Sequence, residues 1–102
     1  MNTSIAKQVP KFSLGQCCMT KGISALVEQY QLPVLDYLAR HQHGDWGDLD
    51  KHDLRANEMA LKENTRILSA YQFQPKPNIN IKIWVITEAD RSSTTLLLPE
   101  EY

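Results

Sequence analysis

The hydrophobic pattern of this chain changes its period once, and that change sets the fold class. Up to about residue 63 the apolar residues recur at helical spacing; from Ile67 onward they alternate with a period of two. Helices first and strands afterwards make an α+β domain, its helices packed on one face of an antiparallel sheet. With 102 residues there is room for one domain, whose core can form without metal or disulfide staples.

The strand half reads as a meander. Residues 67–73 form one strand, and 74–78, with Pro75 and Pro77, form a turn. Ile79, Ile81, Ile83, Val85 and Thr87 line one face of a long second strand, with Lys82, Trp84, Ile86 and Glu88 on the other. Residues 89–92 turn back into a third strand over 93–98.

In the helical half, Thr20 caps a helix over 21–30 with Ile23, Ala25, Leu26, Val27 and Tyr30 on its apolar face. Leu32-Pro33 breaks the chain. A second helix carries Val34, Leu35, Tyr37 and Leu38 to about residue 42, completing a helical hairpin. Gly44 and Gly47 bracket a tight turn. Asp48 or Asp50 caps a third helix over 50–63 that turns Leu54, Met59 and Leu61 inward, with Ala56 and Ala60 at close contacts. Upstream, Phe12, Leu14, Gln16 and Cys18 alternate with Ser13, Gly15 and Cys17 as a short strand or extended arm. The expected architecture is an N-terminal short strand, a helical hairpin, a third helix and a three-stranded antiparallel meander. A variant adds the 12–18 segment to the sheet as an edge strand. Residues 1–11 are expected to be a flexible tail and 12–102 a single α+β domain.

Charge and cysteine content limit partners and compartment. The formal net charge is -1, with no run of Lys and Arg, which disfavours direct nucleic-acid binding. No stretch approaches a membrane span and residues 1–11 lack a signal-peptide core, so no membrane partner is expected. The adjacent Cys17 and Cys18 point to opposite faces of a strand, so they are expected to be reduced, one buried and one outward. That matches a reducing cytoplasm.

Three clusters carry candidate chemistry. His41, His43, Asp45, Asp48, Asp50, His52 and Asp53 have the composition of a metal site, but their spacing fits no ligand rule, so neither a metal nor a cofactor is expected. Trp46, between two glycines, reads as a core plug whose indole N–H takes a nearby carboxylate, with a ligand-stacking platform as the alternative. Glu88, Asp90 and Arg91 read as a charge-assisted network fixing their hairpin. They would make a polar site only if they met His43 and Asp45, since acid–base work needs such groups together. Trp84 and Ile86, opposite the isoleucine row, are either covered by loops or the N-terminal arm, or form an exposed patch for a partner or a second copy. Nucleophile and phosphate-loop motifs are missing.

The strings His43-Gly44-Asp45-Trp46-Gly47-Asp48-Leu49, Arg66-Ile67-Leu68-Ser69-Ala70-Tyr71 and Lys82 through Ser92, with Thr94-Thr95 and Leu98 through Tyr102, resemble an uncharacterised family of small bacterial proteins on plasmids and other mobile elements. Members often bear the label of a type I restriction methyltransferase subunit. That activity needs a Rossmann-like domain and an Asn-Pro-Pro-aromatic motif, which this chain lacks. The resemblance implies a mobile-element accessory protein that binds another protein, such as a restriction or CRISPR component of the host. Two other expectations stand beside it: a small metal- or nucleotide-dependent enzyme using His43 and Asp45 with Glu88 and Asp90, and a homodimeric structural module.

Overall fold

The computed structural model describes residues 9–102, so most of the expected flexible tail lies outside the described residues. The elements follow the order β1 (Gln16–Met19), α1 (Lys21–Tyr30), α2 (Val34–Gln42), α3 (Lys51–Glu63), β2 (Ile67–Lys76), β3 (Ile79–Thr87), β4 (Ser93–Leu97) and a 3-10 turn at Pro99–Glu101. The α+β class and the helices-then-strands order are as the period change requires.

The sheet has four strands in the order β1-β4-β3-β2. β2, β3 and β4 form the antiparallel meander, and β1 pairs parallel with β4, Cys17 opposite Thr94 and Met19 opposite Leu96. Thus the edge-strand variant of the architecture is the one found, over a shorter span: residues 9–15 form an irregular strap before β1. β2 runs through Pro75, and the ladder is irregular between Phe73 and Lys76, because proline cannot donate to it.

One face of the sheet carries the helices. Ile67, Ser69 and Tyr71 of β2, Ile83, Val85 and Thr87 of β3, and Thr94 and Leu96 of β4 alternate onto this face and are all buried. Ile23, Tyr37 and Leu38 pack on them, while Trp46 and Ala60 join Ile67 in a second cluster. The caps follow the sequence: Thr20 Oγ1 accepts from Ile23 N, and Asp50, not Asp48, accepts from Asp53 N. Both helix ends reached by a left-handed residue, Gln31 and Asn64, stop there.

Four inward assignments are corrected. Ala25, Leu35, Ala56 and Met59 face solvent, Leu35 being 79% exposed and Met59 52%. The buried stripe of α3 instead runs through Asn57 and Ala60, with Leu54 and Leu61 half-buried. Asn57 is buried because its amide takes the place of a neighbouring strand: Nδ2 donates to Leu68 O (2.5 Å) and Oδ1 accepts from Leu68 N (3.1 Å). Both cysteines are free and exposed, correcting the one-in, one-out reading, because β1 lies at the sheet's rim.

Candidate functional site

The Gly-rich turn is built around Trp46. Its side chain is 4% exposed and its indole N–H donates to Glu58 Oε2 at 2.9 Å, so the ring closes the core between α2 and α3. Gly47 pairs with Ala70 as an isolated bridge: Asp48 N donates to Ala70 O (2.6 Å) and Ala70 N donates to Trp46 O (3.1 Å). Asp45 holds Arg40 through two contacts, Nε–Oδ2 at 2.6 Å and Nη2–Oδ1 at 3.4 Å. That bond keeps the Asp45 carboxyl below, and the Arg40 guanidinium above, its ordinary value. The guanidinium lies 4.4 Å above the Tyr71 ring, whose hydroxyl donates to Asp45 O. His43 donates from Nδ1 to Ala39 O at 2.7 Å. Asp45 and His43 therefore finish α2 and hold the turn.

The β3–β4 turn is organised by Arg91, without the expected ion pairs to Glu88 or Asp90. Its Nη1 donates to the carbonyls of Thr65, Glu88 and Ala89, and its Nη2 to Ala60 O near the C-terminal end of α3. Asp90 Oδ1 accepts from Ser92 N, and hydrogen bonds from Ser92 hold its carboxyl below the ordinary range. A planar cation suits this work, since it gives several carbonyls a charged donor at once. Replacing Arg91 with alanine should lower unfolding free energy by about 2–3 kcal/mol, the worth of hydrogen bonds from a charged group. Arg91→Gly should recover about 1 kcal/mol of that, because residue 91 sits at φ 63°. Urea denaturation midpoints of the two variants measure both quantities.

No hydrogen bond or ion pair among the described residues joins His43 or Asp45 to Glu88, Asp90 or Arg91. What lies between the two turns is His41. It is completely buried, with Nδ1 2.6 Å from Ser69 Oγ and Nε2 2.8 Å from Thr87 Oγ1. Thr87 Oγ1 lies 2.7 Å from Thr94 Oγ1, which donates to Leu14 O at 2.7 Å. The directions follow from that last bond. Thr94 spends its one proton on a carbonyl that can only accept, so Thr87 donates to Thr94. Thr87 in turn accepts from His41 Nε2–H; burial keeps the ring neutral, so Nδ1 accepts from Ser69. His41 is thus a neutral imidazole protonated on Nε2, in a one-way chain crossing β2, β3 and β4. Burial, with the nearby Arg91 charge, lowers its pKa to about 3.

The strap closes over this chain. Lys11 N donates to Gln42 O, and Gln42 Nε2 to Phe12 O. The Phe12 ring meets His41 edge-on (5.2 Å), stacks on Trp46 (6.2 Å) and lies 5.7 Å beneath the Arg91 guanidinium. No buried side-chain polar atom among the described residues lacks a partner. His41, grouped in the sequence with the metal-ligand candidates, is a core residue instead, and Phe12, read there only as part of a strand or arm, covers its ring.

Asp50, His52 and Asp53 place one ligand atom each within 4.8 Å of one another at the start of α3. They are largely exposed, and Asp50 is occupied as the helix cap. His41, His43, Asp45 and Asp48 are not part of this group.

The other face of the sheet has no place in either core cluster. Ala70, Ile86 and Leu97 are buried there, and Trp84 between Ala70 and Leu97 is half-buried. Tyr102, 69% exposed, meets the Trp84 ring edge-on at 5.8 Å, with the Arg66 guanidinium 5.3 Å from its centroid and bonded to its hydroxyl. Lys82 stands exposed on the same face. Compared with known proteins, the chain matches no family model, no curated protein and no solved structure. No helix among the described residues is long and apolar enough to cross a membrane.

Proposed function

We propose that this chain is an accessory protein of a bacterial mobile element that acts in the cytoplasm by binding another protein, a component of a host defence system such as restriction or CRISPR. The mobile-element setting comes from the resemblance of the 43–49, 66–71 and 82–92 strings. The binding mode is carried by one observation: Trp84, Tyr102 and Arg66 stand in contact on the sheet face that bears no core cluster. Tryptophan, tyrosine and arginine are the side chains on which interface energy concentrates, because each offers a large apolar body with a polar handle. Arg66 and Lys82 at the margin of this patch suit a partner surface with an apolar centre and carboxylates around it.

Tyr102→Ala and Trp84→Ala test the reading. Tyr102 is mostly exposed, so its loss should leave the unfolding midpoint unchanged while weakening binding to a purified defence partner about tenfold or more, as an anchor residue does. Trp84→Ala should abolish recovery of that partner in a pull-down from the host, read by mass spectrometry. Equal recovery by both variants and the parent chain would refute the assignment.

A further inference from the structure

The two edges of the sheet are treated differently. On β2, Leu68 and Ala70 have their outward N–H and C=O groups occupied, by Asn57 and by the Trp46–Gly47–Asp48 turn, and farther along the ladder is interrupted near Pro75. β1, at the opposite edge, has no such cover among the described residues. All four of its residues are exposed, and Gln-Cys-Cys-Met carries no charge, proline or bulge, the usual devices that keep an edge strand single. Gln16 N and Thr20 N donate inward to Ser92 O and Leu96 O. Because backbone groups alternate along a strand, the N–H and C=O of Cys17 and Met19 point out from the free edge.

A groove of about 410 Å³ flanks this edge on the helix side, lined mainly by Met19, Val27, Leu32, Val34 and Leu35. Met19 is 48% and Leu35 79% exposed. A strand added to β1 must bring apolar side chains to this groove at the positions whose backbone faces the edge. β1 meets that requirement itself. A twofold axis perpendicular to the sheet runs two β1 strands antiparallel, keeps both helix layers on one side and sets odd-numbered residues opposite odd-numbered ones. The second copy's Cys17 and Met19 then offer their N–H and C=O groups to the first and lay their side chains toward its groove.

We propose that two copies of this chain associate edge to edge through β1, antiparallel about a twofold axis, with Met19 of each seated toward the groove of the other. The surface is separate from the Trp84 face, so the proposal stands apart from the defence-partner reading.

Light scattering behind size exclusion, from micromolar to about 1 mM chain, tests it. The parent chain should reach a mass twice that of one chain. Met19→Pro, which removes an outward N–H that bonds nothing among the described residues, and Leu35→Lys, which places a charge on the groove, should each return it to the mass of one chain at every concentration, with circular dichroism unchanged. A parent chain that stays single throughout overturns the proposal. So does a pair that persists in Leu35→Lys, the variant to read if Met19→Pro does not fold, and so does a pair that only Trp84→Ala dissociates.

Discussion

Acidification from neutrality to pH 3 should remove roughly 4 kcal/mol of folding free energy through His41 alone. In the unfolded chain this imidazole takes up its proton near its ordinary value of 6.5; in the folded protein burial holds that step down to about 3. Below 6.5 the unfolded state therefore binds a proton that the folded state refuses. Stability is complete above that pH and falls by about 1.4 kcal/mol per pH unit until the folded imidazole also titrates. The buried surroundings explain the refusal. Phe12 and Trp46 cover the ring, the Arg91 charge is near, and the hydrogen-bond chain ending at Leu14 O already assigns every proton. Asp45, Asp90 and Glu101 also have lowered pKa values and lose stabilisation on acidification, but only as the pH enters the carboxylate range. The loss between about pH 6.5 and 4.5 therefore belongs chiefly to His41. Chemical denaturation at half-unit pH steps reads the slope. His41→Gln, which keeps a donor and an acceptor, should have lower stability at pH 7 and a flat profile in this window. A slope unchanged in that variant would place the proton elsewhere.

Gly47→Ala should cost about 4 kcal/mol, the second large effect. Residue 47 has φ 75°, where any side chain costs about 1 kcal/mol. The heavier cost is steric. A methyl there would run into the Ala70 carbonyl oxygen and come within 2.7 Å of Tyr71 Cδ1, so the bridge to β2 must open. Opening it gives up the Asp48–Ala70 and Ala70–Trp46 bonds and loosens Trp46, whose full truncation would cost about 3–5 kcal/mol. Gly44 is the internal comparison. Its φ is 87°, but a methyl there meets mainly the end of the Lys11 side chain, at 2.6 and 2.8 Å, which can swing away. Gly44→Ala should therefore cost only about 1 kcal/mol. Thermal unfolding of the pair separates backbone conformation from close approach; equal losses would mean that the bridge is not what requires Gly47.

Features with a local cause were legible in the sequence. Thr20 and the Asp48/Asp50 pair read as caps because a short oxygen-bearing side chain sits just before an apolar period, and Trp46 between glycines is the plug its indole suggested, though its carboxylate, Glu58, comes from twelve residues on. The meander followed from strict alternation. His41 was grouped with exposed ligand candidates because of its neighbours at 43, 45 and 48. It lies three and four residues after Leu38 and Tyr37, so extending the α2 stripe by one turn would have placed it in the core. The same step from Leu54 to Asn57 and Ala60 explains why Met59 faces out. Arg91 was expected to pair with nearby carboxylates, but carbonyls from residues 60 and 65 claim it, and those come close only once α3 and β2 have docked. The pairing of β1 with β4 joins residues far apart in the sequence, and a four-residue strand bears little mark of its partner.

The unequal sheet edges also bear on how far association can go. If one strand alone accepts a neighbour, and its antiparallel match consumes that strand in both molecules, no template remains for a third. Growth then ends at a closed pair, and the sheet cannot extend into a fibre. A second template would need both covers of β2 removed, the Asn57 amide at Leu68 and the Gly47 turn at Ala70.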